Sequence, residues 1–366
     1  MTVSRPAAVV ILAAGAGTRM KSQLPKVLHP ICGMTMLGHA LAAARELDPA
    51  ELIVVVGHGR RQVTSYLARH APDAQVVVQH RQGGTGHAVR IVTETVGLGQ
   101  GAVLVTYGDT PLLRGSTLAA LAREHAEQDA AATALTTMLA DPTGYGRILR
   151  DERGAFIKIV EEADANAEQR AVTEINSGVY AFESSLLADS VKRLPTDNAK
   201  GEEYLPDVVS ILRAEGHRVA LVTTADSDEV CGVNDRVQLA HARRILNARI
   251  LERWMRAGVT VIDPATTGVD TGVVLGQDVE IGPGTQLVGS TVVETGAHVG
   301  PGCLLRDTVV GQGAALSHVV GMSARIGPGV TVAPFTYLPP GTELPGKGPG
   351  QKRSDAGASA SEPAGK

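Results

Sequence analysis

The chain carries two hydrophobic rhythms, and the change from one to the other divides it. From Ala7 to about Gly232, short apolar runs alternate with amphipathic segments. The run Ala7-Ala8-Val9-Val10-Ile11-Leu12 comes first, and Leu52-Ile53-Val54-Val55-Val56, Val76-Val77-Val78 and Val103-Leu104-Val105 follow. Unbroken apolar runs of this length, ended by glycines and polar residues, predict strands buried on both faces. Between them, Gly38 to Leu47 and Leu118 to Gln128 carry a helical repeat. Strand and helix in alternation predict right-handed βαβ units around a mostly parallel sheet, an α/β fold.

The rhythm then changes twice. Asp235 to Ala257 reads as one long connecting helix, with Leu239, Leu246, Ile250 and Trp254 spaced to share a face. Past Gly258 the helical period disappears and an aliphatic residue followed by glycine returns at, or close to, multiples of six, as in Leu275-Gly276, Ile281-Gly282, Val299-Gly300, Val310-Gly311 and Ile326-Gly327. That period predicts the hexapeptide coils of a parallel β-helix, the aliphatic side chain filling the interior and the glycine turning the corner. Val299 and Val310 are eleven apart, so one coil is expected to be irregular. From 345 to 366 the sequence is Gly, Pro, Ser, Ala and charge, which cannot support a core and reads as a disordered tail. The expected domains are therefore 5–234, a connecting helix 235–257, a short β-helix 258–344 and the tail.

Composition narrows the function. A formal charge of −4 over 366 residues leaves no global basic field for nucleic acid or an anionic membrane, so phosphate binding must be local. No apolar stretch approaches the ~20 residues needed to span a bilayer, and no leader pattern opens the chain, so a cytoplasmic setting is expected. Cys32, Cys231 and Cys303 are far apart and odd in number, which predicts buried free thiols, Cys303 as a filler of the β-helix.

The chemistry-bearing residues lie in the first part. The first strand runs into Ala13-Ala14-Gly15-Ala16-Gly17-Thr18-Arg19-Met20, then Pro25-Lys26. Side-chain-free backbone at the carboxyl end of a parallel strand can approach a base or phosphate, and Arg19 and Lys26 add positive charge. The run is neither a dinucleotide fingerprint, since Met20 stands at the third glycine, nor a Walker loop. Gln79 and Gln82-Gly83-Gly84-Thr85-Gly86-His87-Ala88 follow another strand and open a helix, where amide N–H groups read a base or phosphate. Tyr107-Gly108-Asp109 sets a carboxylate just past a third strand, placed to hold a phosphate-bound Mg²⁺. Asn234 offers a neutral oxygen to the same ion, while Glu161 and Asn176 suit sugar hydroxyls. Taken singly, each is a turn or cap residue more often than a ligand.

Together these segments, with Lys26-Val27-Leu28-His29, Tyr145-Gly146-Arg147-Ile148 and Gly232-Val233-Asn234, resemble the bacterial N-acetylglucosamine-1-phosphate uridyltransferase family over residues 5 to about 344. The resemblance implies a Rossmann-like nucleotidyltransferase domain, a long helix, and a left-handed β-helix that forms homotrimers. It implies Mg²⁺-dependent uridylyl transfer from UTP to N-acetylglucosamine 1-phosphate, giving UDP-N-acetylglucosamine, a peptidoglycan precursor, and pyrophosphate. Leu12, Ala13, Ala14, Gly15, Gln79, Gly84 and Thr85 match residues that hold the uracil and ribose, with Tyr107 and Gly108 beside them. Arg19 and Lys26 match the catalytic phosphate-neutralising pair, Gly146, Glu161 and Asn176 the sugar contacts, and Asp109 and Asn234 the Mg²⁺ ligands.

The chain also departs from that family. The family's acetyl-CoA site and catalytic histidine lie in later coils than this sequence reaches, and Pro339 stands at an acetyltransferase arginine, so the resemblance implies no acetyltransfer. His298 and His318 match no family catalytic residue. Ser177 and Pro206 each replace a threonine near the sugar. Transfer to another sugar 1-phosphate, and a non-catalytic subunit that binds sugar nucleotides, are the alternatives. Joint retention of Arg19, Lys26, Asp109 and Asn234 favours the enzyme.

Overall fold

A computed structural model describes residues 5–346. The expected tail therefore lies outside the described residues, apart from 345 and 346. Two compact units adjoin between Leu246 and Asn247, inside the helix Arg236–Arg256 rather than at either end of it.

The first unit is built on a nine-stranded sheet. Its main path runs Val219–Thr223, Ala132–Met138, Glu174–Glu183, Ala102–Tyr107, Ala8–Ala13, Glu51–Val56, Gln75–Val78. Every pair along it is parallel except the two made by Glu174–Glu183, and Gly146–Arg150 with Phe156–Val160 forms an antiparallel branch from that strand. The apolar runs are strands because both faces are covered. Val10 and Leu12 pack with Val89 and Val92 of the helix Thr85–Thr95 and with Leu205 and Leu212. Val9 and Ile11 point the other way, into Leu37 and Leu41 of the helix Met36–Arg45 and Leu118 and Leu121 of Gly115–Glu127. Val9, Val10 and Ile11 are completely buried, as a two-sided strand requires.

The antiparallel strand carries an irregularity that the sequence did not announce. Its pairing with Ala132–Met138 slips between Asn176 and Tyr180, a bulge with Gly178 at φ +81°. A bulge re-aims the side chains beside it. Ser177 Oγ donates to the Leu135 carbonyl (2.7 Å) and accepts from Val179 N (3.1 Å), so the hydroxyl expected near the sugar ties down the bulge. Pro206 opens the helix Pro206–Ala214 from its first turn, where a missing N–H costs nothing.

The second unit is a parallel β-helix of three faces, each a ladder of short parallel strands. This is the architecture of left-handed hexapeptide proteins. Ile281, Leu287, Val293, Val299, Leu305 and Val310 are stacked inside, each no more than 1% exposed. The expected irregularity is real and wider than one coil. Leu305 fills the interior between Val299 and Val310, leaving one short corner, and Gly321 lies inward in register with Leu305 and Leu338, with a short corner on either side of it toward Leu316 and Ile326. Cys303 is buried here and Cys32 in the first unit, but Cys231 is only half-buried, correcting the expectation that all three thiols are interior. In the long helix Ile250 is buried, while Leu239, Leu246 and Trp254 are half-buried.

Leu287 has no exposed surface, so Leu287→Ala leaves a void that neighbouring coils cannot close. The expected loss is about 2–5 kcal/mol, read as a lower unfolding midpoint of the second unit in denaturant. An unchanged midpoint would show that the coil interior is not close-packed there.

Candidate active site

The site forms at the carboxyl ends of Ala8–Ala13 and Ala102–Tyr107. Strand order reverses about this pair, and open α/β sheets bind ligands in the crevice such a reversal creates. Leu12 pairs with Tyr107, and Gly108 N donates to the Leu12 carbonyl (3.0 Å), so Ala13 to Gly15 and Asp109 emerge side by side. A cavity of about 270 Å³ opens there. Its wall takes in Leu12, Ala13, Ala14 and Gly15 from the first loop, Gln79, Gly84 and Thr85 from the second, and Tyr107 and Asp109 from the third, with Lys26 alongside. Sequence reasoning placed all of these here as candidates. Val27, Gln82, Ala88 and Glu202 also line it. Val27 and Gln82 stand inside the segments already singled out; Glu202 is remote in sequence and carried no signal.

The second loop is held open by an unusual backbone. Gly84 has φ +106°, and a Cβ there would lie 2.4 Å from the Glu203 carbonyl oxygen. Gly83 O accepts from Glu203 N and Gly86 N donates to Glu203 O, both at 2.8 Å, so the glycine loop is laced to the segment before Pro206–Ala214. Gln82 Nε2 reaches across to the Ala14 carbonyl (2.9 Å) and joins the first two loops.

Lys26 sits on a 3₁₀ turn after Pro25, and its stem packs over Gly17, where a Cβ would come within 2.6 Å of Lys26 Cβ. Its ammonium is bonded to Asp109 Oδ2 and lies 3.0 Å from Asn234 Oδ1. Val233 N donates to the Asp109 carbonyl (2.9 Å), which brings Asn234 to the carboxylate from more than a hundred residues away. Two oxygens, one anionic and one neutral, thus converge on a point that already holds a cationic group. This is the donor chemistry a hard divalent ion takes when phosphate and water supply the rest of its shell. The Lys26 and Asp109 side chains are 11% and 19% exposed.

Gly146, Glu161 and Asn176 lie outside the cavity wall but against one another. A Cβ on Gly146 would lie 3.0 Å from Glu161 Oε1 and 3.4 Å from Asn176 Cβ. Asn176 Oδ1 accepts from Tyr180 OH (2.8 Å) and Gly178 N (3.1 Å), which fixes its amide. Burial raises the Glu161 pKa, and Asp207 and Asp164 push the same way against Lys200. Tyr204, a residue the sequence did not flag, has a buried hydroxyl with no hydrogen-bond partner among the described residues, and burial, with Asp164 and Glu161 nearby, pushes it up to about 12. Burial also raises Tyr107, with Glu161 and Asp109 adding to the effect. Arg19 is exposed on the turn Thr18–Met20 and is not part of the cavity wall. His298 and His318 lie in the second unit, the His318 ring tilted against Phe335 with ring centres 5.0 Å apart.

Comparisons with known proteins converge on one group. Residues 9–178 match the family described as MobA-like NTP transferase domain. The bifunctional protein GlmU of Streptomyces avermitilis is 56% identical over 349 residues, covering 95% of this chain and 72% of that protein. The protein of the same name from Thermobifida fusca is 57% identical over 332 residues (90% and 69%), and that from Corynebacterium glutamicum is 48% identical over 341 residues (92% and 70%).

The backbone clash at Gly84 predicts that Gly84→Ala lowers affinity for uridine nucleotide by roughly tenfold or more, through a displaced loop, with strain of this kind worth ~1–3 kcal/mol. Calorimetric titration checks this, and wild-type affinity would show that the loop does not shape the pocket.

Proposed function

The chain belongs to the GlmU family, and from that premise we propose that its first unit transfers uridylyl from UTP to N-acetylglucosamine 1-phosphate, releasing pyrophosphate. It is a nucleotidyltransferase, in a family that makes a peptidoglycan precursor. The observation that carries the reading is the meeting of Lys26, Asp109 and Asn234 beside a cavity walled by glycine loops. Uracil and ribose lie along Leu12 to Gly15, Gln79, Gly84 and Thr85, close to Tyr107 and Gly108. The triphosphate lies toward Lys26, and Arg19 reaches it from the exposed turn. Gly146, Glu161 and Asn176 hold the sugar.

Sugar nucleotidyl transfer asks little covalent chemistry of the protein. The acceptor phosphate is already anionic at neutral pH, so no general base is required. What this chain supplies is alignment of that oxygen opposite the leaving pyrophosphate, and positive charge from Lys26 and Arg19 where negative charge gathers. Asp109 and Asn234 would hold the divalent ion, here proposed to be Mg²⁺, and when bound it supplies charge neutralisation at the phosphates. Their two oxygens fit a hard cation, as the Lys26 ammonium between them indicates. Glu161 works as an acceptor for sugar hydroxyls in its ionised form.

We further propose a cytoplasmic setting, where nucleoside triphosphate and Mg²⁺ are supplied, and a homotrimer formed along the β-helix. Ile262, Val274 and Tyr337 are more than half exposed on the second unit, apolar surface that lateral association would cover.

Pyrophosphate release with UTP, Mg²⁺ and N-acetylglucosamine 1-phosphate tests the activity directly, with a panel of other sugar 1-phosphates beside it. Asp109→Asn is expected to cut turnover by about a hundredfold or more in protein that remains folded by circular dichroism, and full activity would remove Asp109 from the metal site. Because burial raises the Glu161 pKa, its protonated form persists to higher pH than in an ordinary glutamate. The KM for the sugar phosphate should therefore rise as pH falls toward the upper end of the carboxylate range. Glu161→Gln should raise that KM and abolish this part of its pH dependence; an identical profile in the variant would exclude Glu161 from sugar binding.

A further inference from the structure

Gln79 closes one wall of the cavity and is 5% exposed. Its Nε2 lies 3.0 Å from the Gly84 carbonyl oxygen and 3.0 Å from His87 Nδ1. A carbonyl oxygen only accepts, so the amide atom facing Gly84 must be the nitrogen, and its first hydrogen is spent there. The second hydrogen then meets His87 Nδ1, which must carry a lone pair. His87 is therefore the neutral tautomer with its proton on Nε2. Burial, the leading influence on this imidazole, favours that neutral form, and Arg90 and Arg81 act with it against Glu203 and Glu94.

Both donors of the Gln79 amide are thus turned into the protein. The hydrogen-bonding atom that Gln79 offers to the cavity is Oε1, an acceptor. The loop also holds the imidazole in place. A Cβ on Gly83 would lie 3.0 Å from His87 Cγ and 3.1 Å from Nδ1, so the glycine backbone lies close against the ring.

We infer that His87 is a positioning residue for nucleobase selection, locking the Gln79 amide so that the cavity presents an acceptor and demands a ring N–H from the base. Uracil and thymine carry a hydrogen on N3 and satisfy that demand. Cytosine carries a lone pair on N3, which would face the lone pairs of Oε1. Without an acceptor at the His87 position the Gly84 carbonyl alone opposes turning of the amide, one bond instead of two, and the turned amide would offer N–H to cytosine. A site that hydrogen-bonds its substrate discriminates strongly against a ligand that leaves the buried group unpaired. Discrimination between UTP and CTP therefore depends on a side chain that need not touch the base. The inference rests on the reading that this cavity holds the nucleobase.

The test is the ratio of kcat/KM for UTP to that for CTP, measured on the full chain with N-acetylglucosamine 1-phosphate and Mg²⁺. His87→Leu, which keeps bulk and removes the acceptor, is expected to lower the ratio by about tenfold or more, chiefly through KM. His87→Asn, whose Oδ1 replaces Nδ1 as an acceptor on the same carbon, is expected to recover most of it. His87→Ala carries the same expectation as His87→Leu should the leucine variant fail to fold. Gln79→Ala separates the inference from the reading beneath it. If Gln79→Ala collapses the ratio while His87→Leu and His87→Ala leave it intact, His87 has no part in selection. If Gln79→Ala changes neither UTP use nor the ratio, the base does not lie against Gln79. A wild-type chain that uses CTP as well as UTP would overturn the inference outright.

Discussion

The parallel pairing of Ala8–Ala13 with Ala102–Tyr107 is the constraint on which the first unit depends. These two strands are buried on both faces, so their register cannot slip without exposing one apolar set or the other. With register fixed, Leu12 stands opposite Tyr107, and the chain leaves the sheet at Ala14 and Gly108 from neighbouring positions. The Gly108 N–H to the Leu12 carbonyl extends the ladder past the last strand residue. A carboxylate and a side-chain-poor loop are thereby held at contact distance by core packing. The hydrophobic core, and not the loops, sets the precision of the site.

That precision matters because the site confines charge. Lys26 and Asp109 are mostly out of water, and removing one partner from such a pair costs far more than the pair contributes. Asn234 shares the ammonium as a neutral acceptor, adding hydrogen-bonding capacity without a second negative charge. The carboxylates around Glu161 follow a different rule. Glu161 and Asp207 are both raised first by burial, and each feels Asp164, with no cation hydrogen-bonded to Glu161 among the described residues. Lys26 thus sits with Asp109 and Asn234, while Glu161 lies among carboxylates with Lys200 opposing them, a polarity that would suit the proposed phosphorylated sugar.

Much of this could be read from the residues because it depends on local pattern. The runs at Val9 to Ile11 and Ile53 to Val56 read as buried strands from their length and β-branched content, and the near-six-residue spacing after Gly258 reads as coils. The two glycine loops and Asp109 followed from their places at strand ends. What escaped the sequence depends on contacts between distant segments. Glu202 enters the cavity wall because Glu203 is bonded to Gly83 and Gly86. The bulge at Asn176 arises from pairing with Ala132–Met138, and no composition marks it. Short coil corners at Leu305 to Val310 look like a lost period until the stacked partners are known. Arg19, marked by its charge and spacing as a phosphate-neutralising candidate, lies exposed on the turn Thr18–Met20, outside the cavity wall.

The lacing at Glu203 also couples the two ends of the site. Glu203 N and O bond the glycine loop, its carboxylate takes a bidentate bond from Arg90 at 2.8 and 2.9 Å, and Leu205 N donates to Thr85 Oγ1 at 3.1 Å. Thr85 and Arg90 belong to the helix that begins at the base-side loop, while Tyr204 and Asp207 face the acidic surroundings of Glu161. A shift of the glycine loop on nucleotide entry therefore cannot stay local. It must either break several backbone bonds or carry the segment 202–207 with it, and bonds of about 1 kcal/mol each make the second course cheaper. The proposed nucleotide and sugar subsites are in this way joined through one short stretch of backbone.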